Sequence, residues 1–229
     1  MLLHEGLGSV ALWRDMPGAL ADRTGRRVLA YSRFGHGESD PPATPRTVRF
    51  MHEEARLVPH VLDAAGIRRA ILLGHSDGAS IALICAADFP SLVQALILEA
   101  PHVFVEDVSL VSIARMKRHY ADTNLRDRLE RYHHDVDVAF RGWNDVWLDP
   151  AFRSWNIEDY LPRIECPALL VQGDLDEYGT LRQIDAIERG IAGPVERLIL
   201  ENCGHSPHRD RRETVLAAVA DYVGRVSRD

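Results

Sequence analysis

Short apolar runs alternate along this chain with longer stretches whose apolar residues recur at helical spacing. Arg27–Tyr31 (RVLAY), Ala70–Leu73 (AILL), Ala95–Leu98 (ALIL), Ala168–Gln172 (ALLVQ) and Glu196–Leu200 (ERLIL) have the length and composition of strands. Thr47–Ala65 places Phe50, Met51, Leu57, Val58, Val61 and Leu62 close to a helical stripe. A second helix is predicted from about Gly78 to Phe89, where Pro90 stops it. A last one, roughly Arg211–Val226, sets Val215, Val219, Tyr222, Val223 and Val226 on one face. Strands alternating with helices predict an α/β fold, a mostly parallel sheet with helices on both faces.

The stretch from Pro101 to Pro162 breaks this rhythm. It carries helical patterns, no β run, and Trp143, Trp147 and Trp155. A helical insertion at this place would cap the carboxyl ends of the strands, where open α/β sheets bind ligands. The expected organisation is therefore a core of residues 1–100 and 163–229 with a helical cap over 101–162. No internal repeat or low-complexity linker interrupts it.

Composition narrows the partners. The chain has 229 residues, 46% of them hydrophobic, and a net charge of −7, which weighs against a nucleic-acid backbone as partner. No apolar run is long enough to span a membrane. The start, MLLHEGLGSVALW, lacks the basic n-region of a signal peptide. Cys85, Cys166 and Cys203 are scattered and form no CxxC pair, which fits a reducing, cytoplasmic setting without a disulfide framework. Lys117 is the only lysine among 27 basic residues. The arginines are spread along the chain, so this reads as compositional bias rather than an anion site.

The strongest chemical signal is Gly74-His75-Ser76-Asp77-Gly78. It has the form G-x-S-x-G, follows an apolar strand and opens a helix, the context a nucleophile elbow requires. The helix N-terminus behind Ser76 offers N–H groups and positive partial charge to a developing oxyanion. A serine hydroxyl is a weak nucleophile until a base takes its proton. His205, in Asn202-Cys203-Gly204-His205-Ser206-Pro207, follows the last predicted strand and is the preferred base, with His208 its rival. The base in turn needs a carboxylate to hold its tautomer. Asp174, Asp176 and Glu177 follow the fourth apolar strand; Asp176 is preferred, Asp174 is second, and capping the turn is the alternative for Asp174.

In this order of motifs the chain resembles a serine hydrolase of the α/β-hydrolase fold, of the capped, esterase-like kind. Leu3-His4-Glu5-Gly6-Leu7-Gly8-Ser9 is similar to the family's HG-type oxyanion loop, and Ser32-Arg33-Phe34-Gly35-His36-Gly37-Glu38-Ser39 to its D-x-x-G-x-G-x-S loop. GDLDE matches the acid loop and CGHSP the histidine loop. The resemblance implies Ser76, His205 and Asp176 as the triad. It implies the N–H of Asp77 and that of Gly6 or Leu7 as oxyanion donors, and no metal or organic cofactor. Glu5 stands where the family usually has Gly, and Ser32 where Asp is common. Only Leu2 and Leu3 precede His4, where the family has an antiparallel strand pair first. The expectation is an N-terminally truncated chain or a misassigned start, with Arg27–Tyr31 left as an unpaired edge strand.

The expected activity is cleavage of a small carboxylic ester or thioester. Carbon–carbon hydrolysis of a ring-cleavage product is the alternative, against which Ser206 stands where such enzymes usually place Trp. A triad left idle in a binding module is the reading from another class. The partner is a small molecule, with no nucleic acid and no membrane; a homodimer is left open. His102, after the third of these buried runs and Pro101, is a candidate substrate contact. Trp143, Trp147 and Trp155 read either as an aromatic substrate wall or as locks between cap helices. His133-His134-Asp135-Val136-Asp137 lacks the spacing of a metal site and reads as a solvated helix end.

Overall fold

The computed structural model of the chain describes residues 1–227. Its sheet has five strands, β1 (Leu2–Leu3), β2 (Ala70–His75), β3 (Val93–Glu99), β4 (Ala168–Gly173) and β5 (Val195–Leu200). They lie in chain order and each adjacent pair is parallel. Parallel neighbours need crossover connections, which helices supply. Helices α1 (Met16–Thr24) and α2 (Phe50–Ala64) join β1 to β2, and α3 (Asp77–Asp88) joins β2 to β3. Between β4 and β5 runs α7 (Leu181–Gly190), and the chain closes with α8 (Pro207–Asp210) and α9 (Arg212–Val226).

Strands β2 to β4 read as largely continuous apolar runs because both faces of the sheet are covered there. Along β3, Leu96 and Leu98 join the cluster under α2 and α3, while Ala95 and Ile97 join the cluster under α1 and α9. Leu170 of β4 follows the first pair, and Leu169 and Val171 follow the second. Helix α3 is buried along nearly its whole length, which explains why its sequence lacks a polar face. The face predicted for the last helix is the one that packs: Val215, Val219, Tyr222 and Val223 are buried and Val226 lies at their edge.

Arg27–Tyr31 does not form the expected strand. Leu2 N–H donates to the Leu29 carbonyl at 2.8 Å, and one bridge pairs Leu2 with Ala30. With β1 only two residues long, a longer ladder has no partner to extend along.

The segment between β3 and β4 is helical, as its sequence predicts. It contains α4 (Asp107–Asp122), α5 (Leu125–Leu129), α6 (Val136–Trp147) and 3-10 turns at Pro150–Ser154 and Glu158–Arg163. It caps the carboxyl ends of the strands, and every loop of interest below leaves the sheet at that end.

Candidate active site

Ser76 lies between β2 and α3 with φ 54° and ψ −120°, a conformation costly for a residue with a Cβ. Its surroundings hold it there. Ser76 N–H donates to the Glu99 carbonyl at 2.9 Å. A Cβ on Gly74 would overlap the Gly78 carbonyl, and one on Gly78 would overlap the Leu3 carbonyl. Both glycines are therefore required by close backbone approach, one within the turn and one between α3 and β1.

Two loops bring a histidine and a carboxylate to this serine. His205 Nε2 is 2.9 Å from Ser76 Oγ, and His205 Nδ1 lies 2.8 and 2.9 Å from the two carboxylate oxygens of Asp176. The acid and histidine loops pack so closely that a Cβ on Gly173 would overlap the Cys203 and Gly204 carbonyls. Asp176 also accepts from Tyr178 N–H at 2.8 Å and from the Gln172 side-chain amide at 2.7 Å. Burial acts to raise its pKa, but the adjoining His205 and the Tyr178 N–H outweigh burial and hold it below the usual carboxylate value. An ionised Asp176 accepts a hydrogen bond from His205 Nδ1–H, which leaves Nε2 to accept from the serine hydroxyl.

The competing candidates are engaged elsewhere. Asp174 is exposed and its side chain accepts from Cys203 N–H at 3.3 Å, a contact across to the histidine loop rather than a cap on its own turn. Glu177 is exposed beside the cavity mouth. His208 pairs through Nδ1 with Glu99, at 2.7 Å, rather than with Ser76.

Ser76 and His205 open onto a cavity of about 220 Å³. Gly6, Leu7 and Asp77 line it, as do His102, Trp143 and Trp147. The two tryptophans come from one face of α6. The His102 ring stands edge-on to Trp147 at 5.3 Å and lies 5.8 Å from the His205 ring. Burial, with His205 nearby, lowers its pKa to about 4, so it is neutral at physiological pH. Trp155 does not reach the cavity lining. It stacks on Phe152, with ring centroids 5.4 Å apart and planes 15° apart, and so locks the cap internally.

The reading of His133 as part of a solvated helix end is overturned. His133 is buried, its Nδ1 accepting from Gly37 N–H at 3.0 Å and its Nε2 facing the Leu7 carbonyl at 3.0 Å. The description holds for the exposed His134 and for Asp135, which caps α6 by accepting from Val138 N–H. Among the described residues no His, Cys, Asp and Glu cluster has the arrangement of a metal site.

Other residues support the site in ways the sequence did not specify. Glu5, in place of the usual glycine, lies 3.6 Å from His75 Nδ1 and 3.2 Å from Arg209. Burial acts to raise its carboxyl, but His75 and Arg209 hold it well below the ordinary range. His75 Nε2–H donates to the His205 carbonyl at 2.6 Å and so steadies His205 from behind. Arg33 is buried and donates to the carbonyls of His4 and Glu5, at 2.7 and 2.9 Å, bracing the loop after β1. Its place in the glycine-rich loop was the one available hint.

Residues 1–140, which carry the loop after β1 and Ser76 at its strained strand–helix turn, are matched by a family model described as alpha/beta hydrolase fold. The chain belongs to the alpha/beta hydrolase fold family. Serine hydrolase BPHL of Homo sapiens is 26% identical over 174 residues, covering 72% of this chain and 59% of that protein. This member of the family thus spans little more than half the length of that relative. Among solved structures, 2-hydroxy-6-oxo-6-phenylhexa-2,4-dienoate hydrolase from Rhodococcus sp. strain RHA1 superposes with a TM-score of 0.82 at 17% identity, over 96% of this chain and 88% of that one. Proline iminopeptidase of Mycobacterium smegmatis gives a TM-score of 0.79 at 21% identity, over 98% and 88%. At such identities these structures share the fold of the alpha/beta hydrolase family, and nothing finer follows from them.

Proposed function

We propose that this chain is a serine hydrolase acting on a small carboxylic ester or thioester. The observation that carries the reading is the continuous relay Ser76–His205–Asp176, with links of 2.9 and 2.8 Å, at the head of α3. In the proposed reaction Ser76 Oγ attacks the substrate carbonyl while His205 Nε2 takes its proton. Negative charge then collects on the carbonyl oxygen. The Asp77 N–H, at the helix N-terminus, and the N–H of Gly6 or Leu7 receive it. The imidazolium, stabilised by ionised Asp176, returns the proton to the departing alcohol or thiol. An acyl-Ser76 ester remains. Water, deprotonated by His205, attacks that ester and releases the carboxylic acid and free Ser76.

The cavity supports a small, uncharged or cationic substrate. Its volume of about 220 Å³ is below the roughly 300–1,000 Å³ of ordinary ligand pockets. Among the described residues its lining holds the acidic Glu5 and Glu177 and no Arg or Lys. A dienoate ring-cleavage product carries a carboxylate that would face these acids unpaired, which weighs against carbon–carbon hydrolysis. Ser206 beside His205 weighs the same way. His102, Trp143 and Trp147 are the proposed substrate contacts.

The test is labelling by a fluorophosphonate probe together with a series of aryl esters of increasing acyl length. Wild-type protein should label and should cleave short acyl esters fastest. Ser76→Ala should lose labelling and lose hydrolysis by several powers of ten while staying folded. A folded wild-type protein that neither labels nor cleaves any ester of the series would instead be the idle-triad binding module.

A further inference from the structure

Three buried histidines converge on the loop that follows β1, and they hold three successive carbonyls of it. His4 Nδ1 lies 2.8 Å from the Glu5 carbonyl, His36 Nε2 2.9 Å from the Gly6 carbonyl, and His133 Nε2 3.0 Å from the Leu7 carbonyl. In each ring the second nitrogen meets a donor. His4 Nε2 accepts from Arg33 N–H at 3.1 Å, His36 Nδ1 from the Arg46 guanidinium at 3.2 Å, and His133 Nδ1 from Gly37 N–H at 3.0 Å. A neutral imidazole has one acceptor and one N–H, so these partners fix the tautomer of His4 and His133 in which the N–H points at the loop, while His36 Nδ1 also faces the Phe34 carbonyl at 3.1 Å. Burial lowers the pKa of all three and keeps them neutral.

Peptide planarity turns this into an effect on the N–H groups. The Glu5 carbonyl shares a plane with Gly6 N–H, and the Gly6 carbonyl shares one with Leu7 N–H. Holding those carbonyls from behind aims both N–H groups to the opposite side. The Leu7 carbonyl fixes the plane that follows Leu7, so the loop cannot swing about that residue. Two of the three rings belong to the core. The third, His133, is supplied by the cap, 126 residues along the chain from Leu7.

We propose that His133 is a positioning residue that makes the geometry of the Gly6–Leu7 oxyanion loop depend on the docked cap. This rests on the serine-hydrolase reading above. His133 does not line the cavity, so it acts through Leu7 and not on the substrate. Two neighbouring contacts point the same way: Trp143 packs on Gly6, and Trp147 Nε1–H donates to Asp77 Oδ1 at 3.1 Å. The cap therefore touches both sides of the space where an oxyanion would form.

The alternative is a plain tether, in which His133 only anchors the cap to Gly37. Two amide variants separate the roles. In His133→Gln the side-chain NH2 reaches the place of Nε2 and restores a donor to Leu7. In His133→Asn the amide reaches only the place of Nδ1, towards Gly37. Steady-state kinetics on the shortest cleaved aryl ester, with a melting temperature for each variant, reads the outcome. His133→Ala should lower kcat ten- to a hundredfold and leave KM within about twofold, since a misaimed oxyanion donor costs the transition state and not binding. His133→Gln should recover most of kcat, and His133→Asn should recover melting temperature without kcat. Wild-type kcat in His133→Ala, a loss carried by KM alone, rescue by Asn equal to rescue by Gln, or failure of all three variants to fold would each reduce His133 to a tether and overturn the proposal. A wild-type protein that neither labels at Ser76 nor cleaves an ester removes the serine-hydrolase reading itself, and the inference with it. Failure of the inference alone leaves wild-type activity intact.

Discussion

The indole of Trp143 lies directly on the backbone of Gly6, so closely that a Cβ at position 6 would overlap ring atoms Cγ, Cδ1 and Nε1. Gly6 needs no unusual φ; it is glycine because a cap side chain occupies the space of its missing Cβ. The usual glycine at position 5 is replaced by Glu5, which points instead to His75 and Arg209. The loop thus keeps the one glycine that the cap requires.

Gly6→Ala should therefore act at a distance on the cap. Trp143 is 7% exposed and wedged beside Phe140, so it cannot simply turn away. Overpacking of this kind costs about 1–3 kcal/mol. Denaturant unfolding should show that loss, and hydrolysis should fall because the strain falls on the proposed Gly6–Leu7 oxyanion loop. Gly18→Ala is the control, since a Cβ there meets nothing. Equal stabilities for the two variants would mean that Trp143 yields freely.

Asp176 and Asp174 stand two residues apart and should answer differently to substitution. Asp176→Asn keeps the size but removes the charge that fixes the His205 tautomer. In a Ser–His–Asp triad that change costs roughly ten-thousandfold in kcat. Asp174→Ala removes only an acceptor for Cys203 N–H, so stability should drop by about 1 kcal/mol with kcat nearly unchanged. Kinetics and melting curves of the two variants, measured together, check the assignment. Comparable losses of kcat would mean that Asp174 shares the work.

Much of this architecture is written locally in the sequence. The apolar runs that became β2 to β4 need no distant information, because a strand buried on both faces shows as a run of Leu, Ile, Val and Ala. The spacing of GHSDG, GDLDE and CGHSP names three residues that the fold brings within hydrogen-bond reach. What escaped depends on partners far along the chain. Arg27–Tyr31 has strand composition, yet strand formation also needs a neighbour, and β1 offers only two residues. His133 sits in a polar stretch beside the exposed His134, and nothing local distinguishes the two. Its role is set by Gly37 and Leu7, which the sequence places 96 and 126 residues away. Trp143 and Trp147, four apart on α6, share a face that reaches the cavity; Trp155 falls in an irregular stretch where no periodicity foretells direction.

Acid should weaken the fold before carboxylates in general are protonated. His102 is 2% exposed and its pKa falls from 6.5 to about 4 on folding. A depressed histidine binds its proton more readily in the unfolded chain, so stability is complete above pH 6.5 and is lost as pH falls towards 4. For His102 alone the full loss is about 3 kcal/mol at ~1.4 kcal/mol per unit. His4, His36 and His133, lowered by burial as well, steepen the same limb. His75 works oppositely: burial lowers its pKa but Glu5 raises it more, so its contribution is lost as pH rises above 6.5. Melting temperatures from pH 4 to 8 should climb steeply to about 6.5 and then flatten. His102→Gln should make the acid limb shallower. A flat profile from pH 6.5 to 5 would show that these rings are not held neutral.

Trp147 should prove as much a lock on Asp77 as a wall of the cavity. Asp77 is fully buried, and its Oδ1 accepts from Trp147 Nε1–H while Oδ2 has no hydrogen-bond partner. Burial already raises the Asp77 carboxyl, against the pull of Arg33 and of the indole N–H. Trp147→Phe keeps an aromatic ring but leaves both carboxylate oxygens unpaired, a desolvation loss of about 1–3 kcal/mol. In an Asp77→Asn background the charge is gone, and the same Trp147→Phe change should cost less. A double-mutant cycle by chemical denaturation should give a coupling energy of about 1–2 kcal/mol. Hydrolysis should fall less than stability suggests, because the Asp77 backbone N–H remains at the helix head in every variant. Strict additivity in the cycle would mean that Trp147 contributes only its packing against His102 and Phe152, and that the cap and the elbow are not joined through this bond.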